Sequence, residues 1–173
     1  MRWNFLWKFC DNIFNAKEPM RKRSAGILLW KRDKALRVLL VHPGGPFWAK
    51  KDDGAWSIPK GEYSDGEDPL TVAKREFAEE LGRKPRGKYV ALGEIKQKAG
   101  KRVTAFALQG DFDIAKLVSN TFEMEWPPKS GRTRAFPEVD RAQWFALDEA
   151  RQKINPAQAE LIDRLIHALQ QKR

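Results

Sequence analysis

The chain has one cysteine, Cys10, and only two histidines among its 173 residues. A single thiol closes no internal disulfide, and nothing in this cysteine usage points to an oxidising compartment, so a cytoplasmic location is the default expectation. His42 and His167 supply no His-rich metal spacing, and Cys10 has no catalytic companions, so none of the three is assigned a role. No run approaches the roughly 18 apolar residues of a membrane span. No repeat or low-complexity segment is visible either. What remains is a globular composition: 42% hydrophobic residues, seven Trp and ten Phe, at a length that favours one compact domain.

Charge is plentiful but uneven. The net formal charge is +10, and residues 1–60 hold 13 Lys/Arg against 5 Asp/Glu, whereas residues 61–82 hold 2 against 7. A basic body therefore surrounds an acidic strip. Such a surplus solubilises, and it also steers polyanions such as nucleotides or RNA towards the surface. The opening residues place Trp3, Leu6, Trp7, Cys10, Ile13 and Phe14 at helical spacing, so residues 1–21 read as an amphipathic N-terminal extension and residues 22–173 as the folded domain.

Within that domain SAGILLW and RVLLV, separated by KRDKAL, predict a hairpin, and HPGGPFWAKKDDGA predicts a long loop before a short strand WSI. KYVALGEIKQ, RVTAFALQG, NTFEMEW and a short terminal RAQWFAL complete the expected strands. The best-marked helix spans 69–81: Asp68 can cap it, Pro69 suits its first position and Gly82 the position after its end. A second helix follows Asn155, with Leu161, Ile162, Leu165, Ile166 and Leu169 as its apolar stripe. The fold expected is α+β, a mixed sheet sandwiched between helices.

The 69–81 helix carries the chemistry. At about 100° per residue Leu70, Ala73, Phe77 and Leu81 share one arc, and Glu76, Glu79 and Glu80 occupy the arc beside it. Like charges three and four residues apart repel by a few tenths of a kcal/mol per pair, roughly. A hard cation such as Mg²⁺ relieves such repulsion, since it takes oxygen ligands from a few carboxylates together with substrate phosphates. Bound metal of this kind neutralises phosphate oxygens and activates water for attack on phosphorus.

Residues 61–83, GEYSDGEDPLTVAKREFAEELGR, resemble the signature of the Nudix hydrolases, G-x5-E-x7-R-E-U-x-E-E-x-G-U, with Gly61, Glu67, Arg75, Glu76, Glu79, Glu80 and Gly82 all matching. Seven fixed identities arise by chance roughly once in 10⁸ starting positions. Phe77 satisfies the first bulky position, whereas Arg83 departs from the last, which puts the local packing there in question. The resemblance implies the Nudix fold and a divalent-metal-dependent pyrophosphohydrolase using Mg²⁺ or Mn²⁺. It makes Glu76, Glu79 and Glu80 metal ligands with the carbonyls around Lys60 and Gly61, has Arg75 orient a glutamate, and has Glu67 and Gly82 shape the box. The general base is either Glu76 or a carboxylate from a later loop.

The likeness extends over about residues 22–170. WSIPKGE resembles the segment leading into the box of diadenosine polyphosphate hydrolases, and EVDRAQWFALDEA resembles the same group's acidic residue before a Trp, which makes Glu138 the candidate extra carboxylate. The longer VHPGGPFWAKKDDGAWSIPKGEY and EWPPKSG are similar to a bacterial subgroup known only as pyrophosphohydrolases. Phe47, Trp48, Trp126 and Phe136 sit in or beside loops where a ring can stack on a base, and Lys50, Lys51, Lys60 and Lys129 can meet phosphates. The substrate implied is a nucleoside diphosphate linked to another moiety, with dinucleoside polyphosphates slightly ahead. A nucleoside triphosphatase of MutT type, an RNA 5′ pyrophosphohydrolase and a non-catalytic nucleotide-sensing module stay open beside it.

Overall fold

A computed structural model describes residues 23–171. The expected N-terminal extension, residues 1–21 with its amphipathic spacing, lies outside them. Eight strands and three helices follow in the order β1 (Arg23–Arg32), β2 (Leu36–Pro43), β3 (Lys60–Tyr63), α1 (Pro69–Leu81), β4 (Tyr89–Lys96), β5 (Arg102–Gln109), β6 (Thr121–Glu125), β7 (Thr133–Pro137), β8 (Val139–Ala146), α2 (Leu147–Lys153) and α3 (Glu160–Gln170).

The predicted hairpin is β1–β2, turned by Asp33, whose side chain accepts from the Lys34 and Ala35 amides. The main sheet runs β4-β5-β1-β2-β8, with β1 and β5 parallel and the other pairs antiparallel. One edge of β1 is shared: residues 30–32 pair with β2, and Arg23–Gly26 pair with β3. Between these two stretches the chain from Trp56 to Pro59 acts as a wedge. Ser57 and Val41 exchange two backbone hydrogen bonds of 2.9 Å, and Ile27 N–H donates to the Pro59 carbonyl. WSI is therefore not the ladder strand expected there. It makes only isolated bridges, and the paired strand begins three residues later, where the chain has crossed over to β1.

Alternation along β1 and β2 sends side chains to two cores. Ala25, Ile27, Leu29, Leu39 and Val41 pack with Val72, Ala73, Phe77 and Leu81 of α1. Leu28, Val38 and Leu40 pack on the other face with Trp56, Phe145, Ile154, Leu161, Ile162 and Leu165 beneath α2 and α3. The result is the sandwich the sequence implied. Burying a side chain like Phe77 contributes about 1.5–3 kcal/mol, so α1 is fixed through one side and leaves the other available. Leu70, expected on that apolar side, is only half-buried, and Val72 takes its place.

Two further departures are local. RAQWFAL belongs to an eight-residue strand paired with β2 over seven positions, and β7 was not expected at all; β6 and β7 form a separate hairpin. Asn155 does cap a Pro-led turn, accepting from Ala157 N–H at 3.0 Å, but that turn is 3₁₀ and α3 begins only at Glu160. Gln158, buried in the turn, explains the delay: its Oε1 accepts the Ile58 amide and secures the wedge.

Candidate active site

Helix α1 has the termini its sequence promised. Asp68 accepts from Thr71 N–H at 2.8 Å, Pro69 opens the first turn, and Gly82 closes the helix at φ 72°, a conformation glycine adopts without strain. Between them the helix presents Arg75, Glu76, Glu79 and Glu80 towards β3 and the loop leading into α1. Arg75 bridges two of the box acids: its Nη2 donates to Glu76 Oε1 at 2.9 Å and its Nη1 to Glu67 Oε1 at 3.1 Å. Glu67 also accepts the Ser64 amide at 2.8 Å, and these contacts hold its carboxyl below the usual range, the amide first and Arg75 second. The loop preceding α1 is thereby tied to the helix.

Glu80 is the opposite case. Its Oε2 is buried and has no hydrogen-bond partner. Burial pushes its carboxyl up to about 8, against the pull of the Lys60 ammonium and backbone N–H, with Glu138 and Glu76 adding to the rise. Lys60 is shifted down by the same burial, while Glu80 and Glu76 hold it up. The Lys60 side chain thus lies among the box carboxylates. Glu138, at the β7–β8 junction, is raised by burial and then by the charges of Glu76 and Glu79.

The spacing of Glu79 and Glu138 is set by backbone. Asn120 N–H donates to the Glu79 carbonyl at 3.0 Å, and its own carbonyl accepts Glu138 N–H at 2.8 Å. Nothing in the sequence flagged Asn120, because a main-chain bridge needs no particular side chain. Among the described residues no three His, Cys, Asp or Glu side chains are already gathered as a metal-binding group. The reason is visible: Glu76 Oε1 is turned onto Arg75.

Two features fit a divalent cation held by these groups. One is the unpartnered Glu80 Oε2, which asks for a positive partner. The other is Gly61, where a Cβ would stand 1.7 Å from Glu76 Oε2, so glycine lets the carboxylate approach the backbone there. Arg83, the residue that departs from the motif, does not fill the place of a bulky apolar side chain. It reaches the Asp111 carbonyl at 3.3 Å and borders a cavity of about 470 Å³ over Leu29, Phe77, Leu108 and Phe112, away from the carboxylates.

The aromatic residues gather on one side. Phe47 is 58% exposed and Trp48 37%. Phe47 meets the edge of Trp126 at 5.5 Å, and Lys51 lies over the Trp48 ring at 4.5 Å. Phe136 instead packs against Phe122 across the β6–β7 hairpin. The loop bearing Phe47 starts beside the box, because Gly44 N–H donates to the Glu138 carbonyl at 2.9 Å. His167 is engaged only with Gln171.

A carboxylate-lined helix lies over a mixed sheet with a glycine-cleared backbone beside it, an arrangement that suits hydrolysis of pyrophosphate bonds. The NUDIX domain model matches residues 20–165, and the chain belongs to the Nudix family. Solved structures share the fold: an Ap4A hydrolase from C. elegans in a binary complex (18% identity, TM-score 0.57, covering 84% of this chain and 97% of that one); the NUDIX domain of Shewanella oneidensis NrtR complexed with ADP ribose (16%, 0.58, 86% and 88%); and a NUDIX hydrolase from Nitrosomonas europaea (20%, 0.59, 86% and 90%). No curated protein sequence matches. No helix among the described residues is long and apolar enough to cross a membrane.

Proposed function

We propose that the protein hydrolyses a phosphoanhydride bond of a nucleoside diphosphate linked to another moiety, with dinucleoside polyphosphates as the preferred class. The observation that carries this reading is the junction at Gly44, which begins the loop of exposed aromatics at the backbone of Glu138. A base stacked on Phe47, Trp48 or Trp126 then has its phosphates directed towards the box. The likeness to an Ap4A hydrolase supports the same class.

Glu76, Glu79 and Glu80 would hold Mg²⁺ or Mn²⁺ with the Lys60 and Gly61 carbonyls. When bound, such an ion neutralises phosphate charge and lowers the pKa of a coordinated water. Arg75 holds Glu76 in place, and Glu67 holds Arg75 and the loop before α1. Lys60 offsets the charge of Glu80 and is close to where a phosphate would lie. Of the two candidate bases, Glu138 is better suited: its carboxyl is shifted towards neutrality, whereas Glu76 Oε1 is occupied by two Arg75 donors.

The test is a substrate panel with either metal: diadenosine tetraphosphate, ADP-ribose, nucleoside triphosphates and triphosphorylated RNA. The expected outcome is the highest kcat/KM on the dinucleotide. A preference for triphosphates or RNA would replace the substrate class, and tight binding without product in either metal would establish a sensor instead.

A further inference from the structure

The HPGGP segment and the KKDDGAW segment converge on one buried histidine. His42 is fully buried at the end of β2. Its Nδ1 lies 2.7 Å from Asp140 Oδ1, and its Nε2 lies 2.8 Å from the Lys51 carbonyl oxygen. Both ring nitrogens are thereby engaged, one with a side chain of β8 and one with the main chain of the loop.

Asp140 reaches this position through a bulge. The β2–β8 register steps from His42↔Arg141 to Pro43↔Val139, which leaves Asp140 as the extra residue opposite that step. Bulges re-aim a side chain in this way. The surroundings are accounted for on every side. From β8, Arg141 stands 3.5 Å from Asp140 Oδ1 and covers the Trp56 ring. From the other side Trp56 presents its ring edge-on to His42 at 5.2 Å and donates from Nε1 to Asp52, which is itself paired with Lys153. Among the described residues Asp140 is the carboxylate in contact with the imidazole, and Lys51 contributes its carbonyl rather than its ammonium.

We propose that His42 is the positioning residue that clamps the 44–52 loop against β8, and so fixes the presentation of Phe47 and Trp48. The loop leaves β2 just after His42 and returns at Lys51 to the other nitrogen of the same ring, so one side chain closes its two ends. Loss of either contact releases one end. The consequence for substrate rests on the function proposed above; the clamp itself does not.

Three measurements on the full chain separate these parts. With only two histidines present, ¹⁵N NMR of labelled protein reports the ring directly, with His42→Gln assigning the signals. Hydrogen-bonded signals from both ring nitrogens are expected, and a nitrogen without a partner overturns the two-ended contact. Hydrogen exchange then reads the loop. Amides of residues 45–51 are expected to exchange about tenfold faster in His42→Gln, the equivalent of one lost hydrogen bond, while Leu39 and Leu40 stay protected. Unchanged exchange overturns the clamp. Asp140→Asn, which removes the charge with little change of shape, gives the same reading where His42→Gln does not fold. Finally, on a dinucleoside tetraphosphate the variant is expected to raise KM about tenfold with kcat within about threefold. Faster exchange with unchanged KM overturns the positioning role, and faster exchange in a protein that hydrolyses nothing overturns the substrate reading while leaving the clamp intact.

Discussion

Two sets of carboxylates stand on the same scaffold and are treated in opposite ways. Asp52 accepts from Lys153 Nζ at 2.6 Å and Trp56 Nε1 at 2.8 Å, and these two bonds hold its carboxyl below the ordinary range. Glu80 is buried with an oxygen that nothing satisfies, and its carboxyl is pushed up to about 8. The first is a finished contact that ties the long loop to α2. The second is an unfinished one, with an oxygen that no group among the described residues hydrogen-bonds. Asp52 is fully paired, and Glu80 is not.

The largest expected effect breaks the unfinished set. Glu79→Gln with Glu80→Gln is expected to lower kcat/KM by about 10³-fold or more, measured by product release, while circular dichroism stays unchanged; full turnover would remove the box from the mechanism. Gly61→Ala comes next. It pushes a Cβ into Glu76 Oε2 without touching a charge, and a fall of about 10²-fold in kcat is expected with KM little altered.

Removing the metal sharpens the contrast through stability. Mg²⁺ or Mn²⁺ at about 100 times its Kd stabilises the folded state by about 2.7 kcal/mol, a rise in Tm of about 5–10 °C for a chain of this size, and Glu80→Gln is expected to abolish most of that rise. In metal-free protein the two acids then give opposite pH slopes. Glu80, raised from 4.5 to about 8, binds its proton more tightly when folded, so its contribution is present below about 4.5 and is lost as pH climbs to about 8. Asp52, lowered when folded, contributes above its unfolded value of 3.8 and loses that contribution as pH falls through its folded value. Thermal scans across pH on Glu80→Gln and Asp52→Asn are expected to remove the neutral-range slope and the acid-range slope respectively. The smallest effect is the Tm loss of Asp52→Asn itself, about 1–3 °C at neutral pH.

How much of this was readable in the sequence follows from how local each feature is. The bounds of α1 were legible to the residue because Asp68, Pro69 and Gly82 each act within one turn. The box was visible as a motif because its seven residues fall within 61–82, four of them on that one helix. WSI was misplaced because a wedge between β1 and β2 is defined by partners on other strands. The C-terminal helix was drawn too early because Gln158 diverts its first turn to hold Ile58. His42 looked idle because Asp140 lies 98 residues away and meets it only through a bulge, which no periodicity reveals. Glu138 was found from its neighbourhood in the chain, and Asn120 was not found at all.

The bridge at Asn120 carries a consequence for how this protein can change over generations. Since the bonds from residue 120 to Glu79 and Glu138 are made by its main-chain N–H and carbonyl, with Ser119 Oγ donating to that carbonyl and accepting Val139 N–H beside it, selection on that gap leaves little trace in the side chain of residue 120 itself. Chemistry at the box can therefore be retuned by exchanging acids at either end of the bridge, while the distance between them is inherited as geometry rather than as sequence.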